Sequence, residues 1–319
     1  MKDQSIVGVL FCLIAGMTWG AQFPIAGGML KLIDPFYFTV LRYIAVSLIL
    51  VLLLVVFEGA KALSFEGRAR RVWFYGTMAF TIYNFLVFLG QKIAGPSGAV
   101  LASIMMALMP IISVLVMWVY KKTTPSTFTL GCIVVAFLGV SLVITKGDIS
   151  VLSSTRGNLI PALLILTGVF AWVIYTIGGG SFTWSPLRYT TLSCLLGTAS
   201  ALVIVVLATI AGYLKVPAVG TLSTIRWGMC YMIVISGVLA VFSWNAGNHA
   251  LTPLNGILFI NLVPVTTFVI SILFGYHMST LEVVGAGATI AALVSNNLYQ
   301  RTLLGSKEGS DRRRRSERG

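Results

Sequence analysis

Apolar stretches of about 20 residues follow one another along most of the chain. Each stretch is long enough to cross a hydrocarbon layer of about 30 Å. In lipid, every backbone polar group must be paired inside the protein, so these stretches are expected to be helices. Charged residues make up only 10% of the 319 residues, against about 25% in average soluble domains. The chain is therefore predicted to be an all-α integral membrane protein.

Ten membrane-length segments are predicted, in two sets of five. They cover residues 6–30, 36–57, 72–92, 96–119, 126–145, 158–178, 187–211, 227–247, 253–275 and 280–300. The first segment is longer than the apolar part of a signal peptide, and we take it as a retained helix. Residues 1–148 are predicted to form the first five-helix repeat and residues 149–300 the second. Residues 301–319 are predicted to be a basic, disordered cytoplasmic tail.

The two sets repeat the same spacing of proline and glycine. Pro110 precedes Gly131 by the same number of residues as Pro264 precedes Gly285. Because each set has an odd number of segments, the second copy must enter the membrane from the opposite side. Such an inverted-topology repeat is typical of secondary transporters, whose substrate site lies near the middle of the membrane.

The basic residues are distributed unevenly between the loops. If the N-terminus lies inside, most of the 22 lysine and arginine residues fall on the inner side, including those of the tail. This bias predicts a multi-pass protein of the plasma membrane, the inner membrane in a bacterium, with both termini in the cytoplasm. It also accounts for the net charge of +13, so nucleic acid is not an expected partner.

A spaced series of residues marks the first two segments. It consists of Trp19-Gly20, Phe23, Lys31, Pro35 and Arg42. Together with the ten segments and the doubled proline and glycine spacing, this series resembles the EamA family of drug/metabolite transporters, over about residues 6–300. The resemblance implies a ten-helix inverted-repeat fold that moves small metabolites, often outward and often amino acids or related compounds.

The chain departs from this family at the ends of the fourth and ninth segments. Many members carry a Gly-Glu pair there, whereas this chain has Lys121-Lys122-Thr123 and Gly275-Tyr276-His277. The contribution of that glutamate to gating or loop packing is therefore not expected in the same form.

None of the nine acidic residues falls in the middle of a predicted segment. An intramembrane carboxylate that binds a proton or a cation is therefore missing, which favours facilitated or exchange transport over a proton-driven pump. His249 and His277 remain alternative proton carriers. Arg42 is the one clearly embedded cation. It is expected either to attract a carboxylate or phosphate of the substrate, or to cap helix carbonyls or snorkel to the interface.

Aromatic and amide side chains inside the segments form the candidate binding site. Rings beside amides can stack on an organic substrate, bind its polar end or enclose a cation. The predicted substrate-binding residues are Trp19, Gln22, Phe23, Arg42, Tyr43, Tyr83, Asn84, Trp172, Tyr175, Trp244, Asn245 and Asn248. The predicted kink or gating residues are Pro24, Pro110 and Pro264, because proline interrupts a helix. The four cysteines lack metal-ligand spacing, and no metal or cofactor is predicted.

The predicted function is secondary transport of a small organic metabolite across the plasma membrane by alternating access, as export or exchange. The metabolite would be amino acid-like, zwitterionic, or an aromatic or amine compound. An enzyme is not predicted, although Gly95-Pro96-Ser97-Gly98 matches the GxSG pattern of an intramembrane serine protease. A membrane scaffold subunit without transport activity is the other alternative. The small molecule and the lipid bilayer are the expected partners, and the sequence does not predict the oligomeric state.

Overall fold

The computed structural model describes residues 2–122, 124–146, 159–251 and 257–316, and these are helical apart from short connections. The helices are α1 (Lys2–Met29), α2 (Pro35–Glu58), α3 (Ala69–Gly76), α4 (Asn84–Ile93), α5 (Gly98–Ala107), α6 (Met109–Lys121), α7 (Thr127–Thr145), α8 (Leu159–Gly179), α9 (Pro186–Ile210), α10 (Val219–Cys230), α11 (Ala240–Leu251), α12 (Leu262–Leu273) and α13 (Thr280–Ser316). The π-helical segment Thr77–Tyr83 joins α3 to α4, and the π-helical segment Tyr231–Leu239 joins α10 to α11. Single 3₁₀ turns cover Ala60–Leu63, Gly95–Ser97 and Ile257–Asn261.

Eight helices within the described residues are long and apolar enough to cross a membrane, with α3–α4 and α10–α11 each counted as one. The bent pair α5–α6 adds a ninth, and the shorter apolar helix Phe259–Leu273 lies where the ninth predicted segment is expected. The all-α membrane fold predicted from the sequence is confirmed. The last helix continues through Ser316.

The predicted kink residues differ in their effect on the helices. Helices α5 and α6 meet at a bend of 44°, and Pro110 is the second residue of α6. Pro264 likewise lies in the first turn of α12. Proline is well tolerated at a helix start because its missing N–H would have no intrahelical partner there. Pro24 lies inside α1, which continues to Met29 without a break.

The second helix of each half begins in the same way. The Asp34 carboxylate accepts a hydrogen bond from the Phe36 N–H at 2.8 Å, and the Ser185 hydroxyl accepts one from the Arg188 N–H at 3.0 Å. Each capping residue is extended and is followed directly by a proline that opens the helix. This combination satisfies the free N–H groups of a helix start and fixes its first turn.

The two halves exchange equivalent contacts. Helix α1 packs against α11 and α12 of the second half, and α8 packs against α4 and α5 of the first. The third long helix of each half contains a π-helical segment at a corresponding place. Glycine allows the helices to approach closely in the α4–α8 contact and in the α1–α11 contact. A Cβ on Gly90 would lie 2.6 Å from Ile165 Cγ1, and a Cβ on Gly247 would lie 2.5 Å from Cys12 Sγ. This reciprocity is the pattern of two repeats related by a two-fold axis.

Candidate functional site

A cavity of about 290 Å³ lies between the two halves. Its wall comes from α1, α2, α4 and α5 of the first half, from α8, α9 and α11 of the second, and from both π-helical segments. Of the predicted binding residues, the wall contains Trp19, Gln22, Arg42, Tyr43, Tyr83, Asn84, Trp172, Tyr175 and Trp244. Side chains from distant parts of the sequence thus converge on one space, and their role in binding remains a prediction.

Three predicted binding residues are not found in this wall. Phe23 is fully buried and packs into the helix core, and its carbonyl accepts a hydrogen bond from Gln91 Nε2 at 2.6 Å. Phe23 follows Gln22 directly, and consecutive residues of an α-helix point about 100° apart. The side chains of Asn245 and Asn248 lie outside the described part of the structure.

The structure adds wall residues that the sequence analysis did not select. They are Val46, Leu50, Phe80, Met106, Thr176, Gly179, Gly180, Trp184, Pro186, Tyr189, Thr190, Ser236, Gly237 and Val241. Phe80 precedes Tyr83 and Asn84 at the three- and four-residue spacing of one helix face, so the sequence carried a signal for it. Trp184 lies in a loop between helices, where no periodic pattern marks its direction.

Arg42 links the two halves at one end of the cavity. Its side chain is only 2% exposed. Nε donates to the Met232 carbonyl at 2.9 Å, and Nη2 donates to Ser236 Oγ at 3.1 Å and to Gln22 Oε1 at 3.4 Å. The Ser236 hydroxyl itself donates to Gln22 Oε1 at 2.9 Å. The guanidinium is therefore held against the second π-helical segment and does not snorkel to the membrane surface.

Arg42 has no carboxylate partner among the described residues. A guanidinium has five N–H groups, and the bonds to Met232, Ser236 and Gln22 occupy those of Nε and Nη2. The N–H groups of Nη1 form no hydrogen bond with the described residues, and Arg42 is part of the cavity wall. This group can therefore bind an anionic group that enters the cavity through a charge-assisted hydrogen bond from Nη1.

Aromatic rings form a continuous network along the rest of the wall. Trp172 is central, with ring centroids 4.9 Å from Tyr83 and 5.4 Å from Tyr175. Tyr175 stacks on Tyr189 at 5.0 Å with an interplanar angle of 17°, and the Tyr189 hydroxyl donates to the Tyr175 carbonyl at 2.9 Å. A separate pair of rings is formed by Trp19 and Trp244, whose centroids lie 5.4 Å apart. Rings fixed in this way offer π-faces to an aromatic group or an organic cation.

Asn84 presents an unpaired acceptor at the cavity wall. Its Nδ2 donates to the Ala79 carbonyl at 2.8 Å. Its Oδ1 has no hydrogen-bond partner among the described residues, although the side chain is fully buried. A buried acceptor without a partner costs about 1–3 kcal/mol, and Oδ1 is such an acceptor in the cavity wall.

Two loops lie near each other at the end of the cavity opposite Arg42. Glu66 Oε1 lies 2.7 Å from Arg188 Nη2, and the Trp184 indole N–H donates to Glu66 Oε2 at 2.7 Å. The Ser185 hydroxyl donates to Glu58 Oε1 at 2.6 Å. We call the contacts between residues 58–71 and 181–188 the loop bridge. Glu58 ends α2, whereas Arg42 lies near its beginning, so the two sets of contacts lie at opposite ends of the cavity.

Hydrogen bonds from Trp184 and Arg188 hold the pKa of the Glu66 carboxyl below its usual value. Glu66 therefore stays ionised throughout the neutral range, and the loop bridge retains its ion pair there.

The GxSG match has a local structural role. The Ser97 hydroxyl donates to the Ala94 carbonyl at 3.2 Å, within the turn that precedes α5. Serine is favoured at helix starts because it satisfies backbone groups there. The side chain of His249, one candidate base, lies outside the described residues, so no contact in the described part supports a protease site.

The turn that lacks the expected Gly-Glu pair has another glutamate nearby. Glu282 of α13 accepts hydrogen bonds from the Tyr276 hydroxyl and the Ser279 N–H. Lys146, which follows α7, places its Nζ 3.2 Å from Glu282 Oε1. This cluster ties the end of α7 to the start of α13, a stabilising contact that the sequence analysis did not select.

Comparisons with known proteins agree with this architecture. The sequence profile of the EamA-like transporter family matches residues 6–145 and again residues 159–298. The chain is 46% identical over 301 residues to "Uncharacterized transporter YrdR" of Bacillus subtilis (strain 168), covering 94% of each protein. It is 28% identical over 282 residues to "Uncharacterized transporter YyaM" of the same strain, covering 86% of this chain and 88% of that protein. A solved structure described as "Crystal structure of protein" shares the fold at 17% identity, with a TM-score of 0.62, covering 95% of this chain and 99% of that one.

Proposed function

Because the chain belongs to the EamA-like transporter family, we propose that it is a secondary transporter that binds a small organic solute in the central cavity. The observation that carries this proposal is the position of the cavity between two repeats, with unpaired polar groups and fixed rings in its wall. Inverted-repeat transporters bind substrate at such a repeat interface near the middle of the membrane.

The arrangement of the wall favours a solute with two chemically different ends. Arg42 suits a carboxylate or phosphate, and the rings around Trp172 suit an aromatic or apolar group. From the sequence alone these two preferences conflict. In the structure they belong to different parts of one cavity, so a single amphipathic solute can satisfy both. An amino group on the same solute would bind Asn84 Oδ1 and the neighbouring ring faces, which favours amino acid-like zwitterions with an aromatic or apolar side chain.

Alternating access would exchange the contacts at the two ends of the cavity. In the structure both ends carry contacts between the halves, through Arg42 with Met232 at one end and the loop bridge at the other. Rocking of the halves would break one set while the other remains. No aspartate or glutamate lines the described cavity wall, and His277 is not part of it. We therefore favour export by exchange or facilitated transport over proton-driven pumping.

The test is solute flux in proteoliposomes that contain the purified full-length protein. A panel of labelled amino acids and aromatic carboxylates would be screened for saturable exchange. We expect flux of at least one of these solutes, and its loss in Trp19→Ala and in Trp172→Ala. Trp227→Ala is the matched control because Trp227 is 75% exposed outside the cavity. Full flux in both cavity variants would contradict the assignment of the cavity as the binding site. Absence of flux for every solute would contradict the proposed transport activity.

A further inference from the structure

A second space, a groove of about 240 Å³, adjoins the cavity. It lies between α2, α9 and the π-helical segment that leads into α11. The groove and the cavity share Leu50, Pro186, Thr190 and Val241 in their walls. These four residues lie between the cavity and the groove, so an alkyl chain that links the two spaces passes among their side chains.

The groove faces the side of the helix bundle that lies in the membrane. Leu53, Val238 and Phe242 line it, and Phe242 is 54% exposed. Leu52, beside Leu53 on α2, is 63% exposed. Large apolar side chains exposed on spanning helices lie against lipid hydrocarbon, so the open side of the groove faces the membrane interior.

A polar boundary closes one end of the groove. Glu58 and Ser185 line that end and hydrogen-bond to each other as part of the loop bridge. Glu58 is the one charged residue in the described groove wall, and it ends α2. The groove therefore combines an apolar length with a polar rim.

We propose that this groove holds the alkyl chain of a transported amphiphilic carboxylate, while the carboxylate binds in the cavity. The inference rests on the proposed function, because it takes the cavity as the site of the polar end. An alkyl chain is as well shielded from water in the groove as in the bilayer, and Arg42 supplies the attraction for the charged end. A phospholipid is not the proposed occupant, because its headgroup stays at the membrane surface and cannot enter the cavity with its chain.

Photoaffinity labelling of the full-length protein in liposomes tests this proposal. The probe is dodecanoic acid with a terminal diazirine, and a phosphatidylcholine carrying the same diazirine chain is the comparison. We expect the fatty acid to label Leu50 and Val241, which belong to both spaces, and the phosphatidylcholine to label only lipid-exposed residues such as Leu52. Equal labelling of Leu50 by both probes would identify an ordinary lipid site and overturn the proposal, as would labelling of Leu52 alone.

A variant pair supplies the control. Leu53→Trp fills the groove, and we expect it to reduce fatty-acid labelling of Leu50 by roughly tenfold, the effect of overpacking one pocket. Leu52→Trp adds the same ring to the lipid-facing surface and is expected to leave that labelling unchanged. Monodisperse elution and unchanged exchange of a short polar solute would show that both variants are folded. Unchanged labelling in Leu53→Trp with normal solute exchange would refute binding of the alkyl chain in the groove. The proposal that the protein is a transporter would be unaffected.

Discussion

Arg42 combines two roles that appear as alternatives in the sequence. Its Nε and Nη2 groups bind the second half of the molecule through Met232 and Ser236. Its Nη1 group has no protein partner among the described residues, although the side chain is 2% exposed. A buried charge without an opposite charge is expensive in a membrane and is usually retained for function. The fixed orientation of the guanidinium then prepares it for an anionic solute at little further entropy cost.

Replacing Arg42 by Gln is expected to raise the KM for an anionic solute by about tenfold or more, because a charge-assisted pair contributes about 1.5–3 kcal/mol. Arg42→Lys should recover only part of this loss, because lysine lacks the planar fork. The measurement is exchange of a carboxylate and of its neutral amide in proteoliposomes. Arg226→Gln is the control, because the described contacts of Arg226 lie on its own helix. Equal losses for carboxylate and amide would assign Arg42 a structural role only.

The two π-helical segments perform equivalent tasks in the two halves. The Ala79 carbonyl of the first accepts from Asn84 Nδ2, and the Met232 carbonyl of the second accepts from Arg42 Nε. Ala79 and Met232 are separated by the same number of residues as Trp19 and Trp172. A π-helix shifts the backbone hydrogen-bond pattern and is often found at functional sites. In this fold it supplies carbonyl groups that orient the polar side chains of the cavity.

The α7–α13 contact depends on glycine. A Cβ on Gly285 would lie 2.5 Å from the Gly139 carbonyl oxygen. We expect Gly285→Ala to destabilise the protein by about 1–3 kcal/mol, because backbone atoms cannot yield as a flexible side chain can. Gly287→Ala is the control on the same helix, since a Cβ there meets nothing within 4 Å. Thermal unfolding in detergent measures both, and equal midpoints would contradict the close contact.

The loop bridge is expected to limit entry to the cavity from its own end. In a cysteine-free background, Thr190→Cys places a reporter in the cavity wall. Arg188→Gln should increase its rate of modification by a water-soluble maleimide about two- to fivefold, since an exposed ion pair contributes only weakly to holding the two loops together. Charge reversal in Glu66→Arg with Arg188→Glu should restore the slow rate. Arg70→Gln is the control in the same segment, and an increase of the same size there would point to a general loss of structure.

The pH dependence of the bridge follows from the lowered pKa of Glu66. A carboxyl group with a depressed pKa in the folded state stabilises it above its unfolded pKa, and this contribution is lost as pH falls through the folded value. The maleimide rate should thus stay constant through the neutral range and rise only in acid, below the ordinary range of a glutamate. A rise between neutral and mildly acidic pH would contradict this assignment.

At the scale of the whole molecule, two similar halves enclose a cavity with two dissimilar ends. Gln22 and Tyr175 are related by the same offset as Trp19 and Trp172, yet Gln22 binds Arg42 at the polar end and Tyr175 belongs to the ring network. The repeat thus determines the architecture, while divergence between the copies places an amide at one position of the cavity wall and a ring at its counterpart. A symmetric pair of halves would offer a two-ended solute no preferred orientation.

The orientation of the whole molecule in the membrane can be predicted from its loops. The basic bias of the loops predicts that Lys61 lies inside and Lys215 outside. In a cysteine-free background, a membrane-impermeant maleimide added to intact cells is expected to label Lys215→Cys and not Lys61→Cys. Both lie in described loops on the surface, so both should react after the membrane is permeabilised. Labelling of Lys61→Cys but not of Lys215→Cys in intact cells would show that the protein has the opposite orientation in the membrane.

Local properties of the chain specify the helices of this protein and their repetition. Segment length and apolar character specify membrane helices because the bilayer leaves the backbone no other partner. Proline and glycine mark helix starts and close crossings because their effects are local to the backbone. The separation of Pro110 from Gly131, repeated by Pro264 and Gly285, is one of the local signals that together predict two related halves.

Which faces of those helices meet depends on how the two halves pack together. Arg42 pairs with a carbonyl of Met232 in the other half, and Phe23 turns into the core while Gln22, the residue before it, lines the cavity. Trp184 reaches the same cavity from a loop. In a membrane, apolar side chains face both lipid and protein, so hydrophobicity does not distinguish the inner face of a helix from the outer. Only packing between the halves makes that distinction.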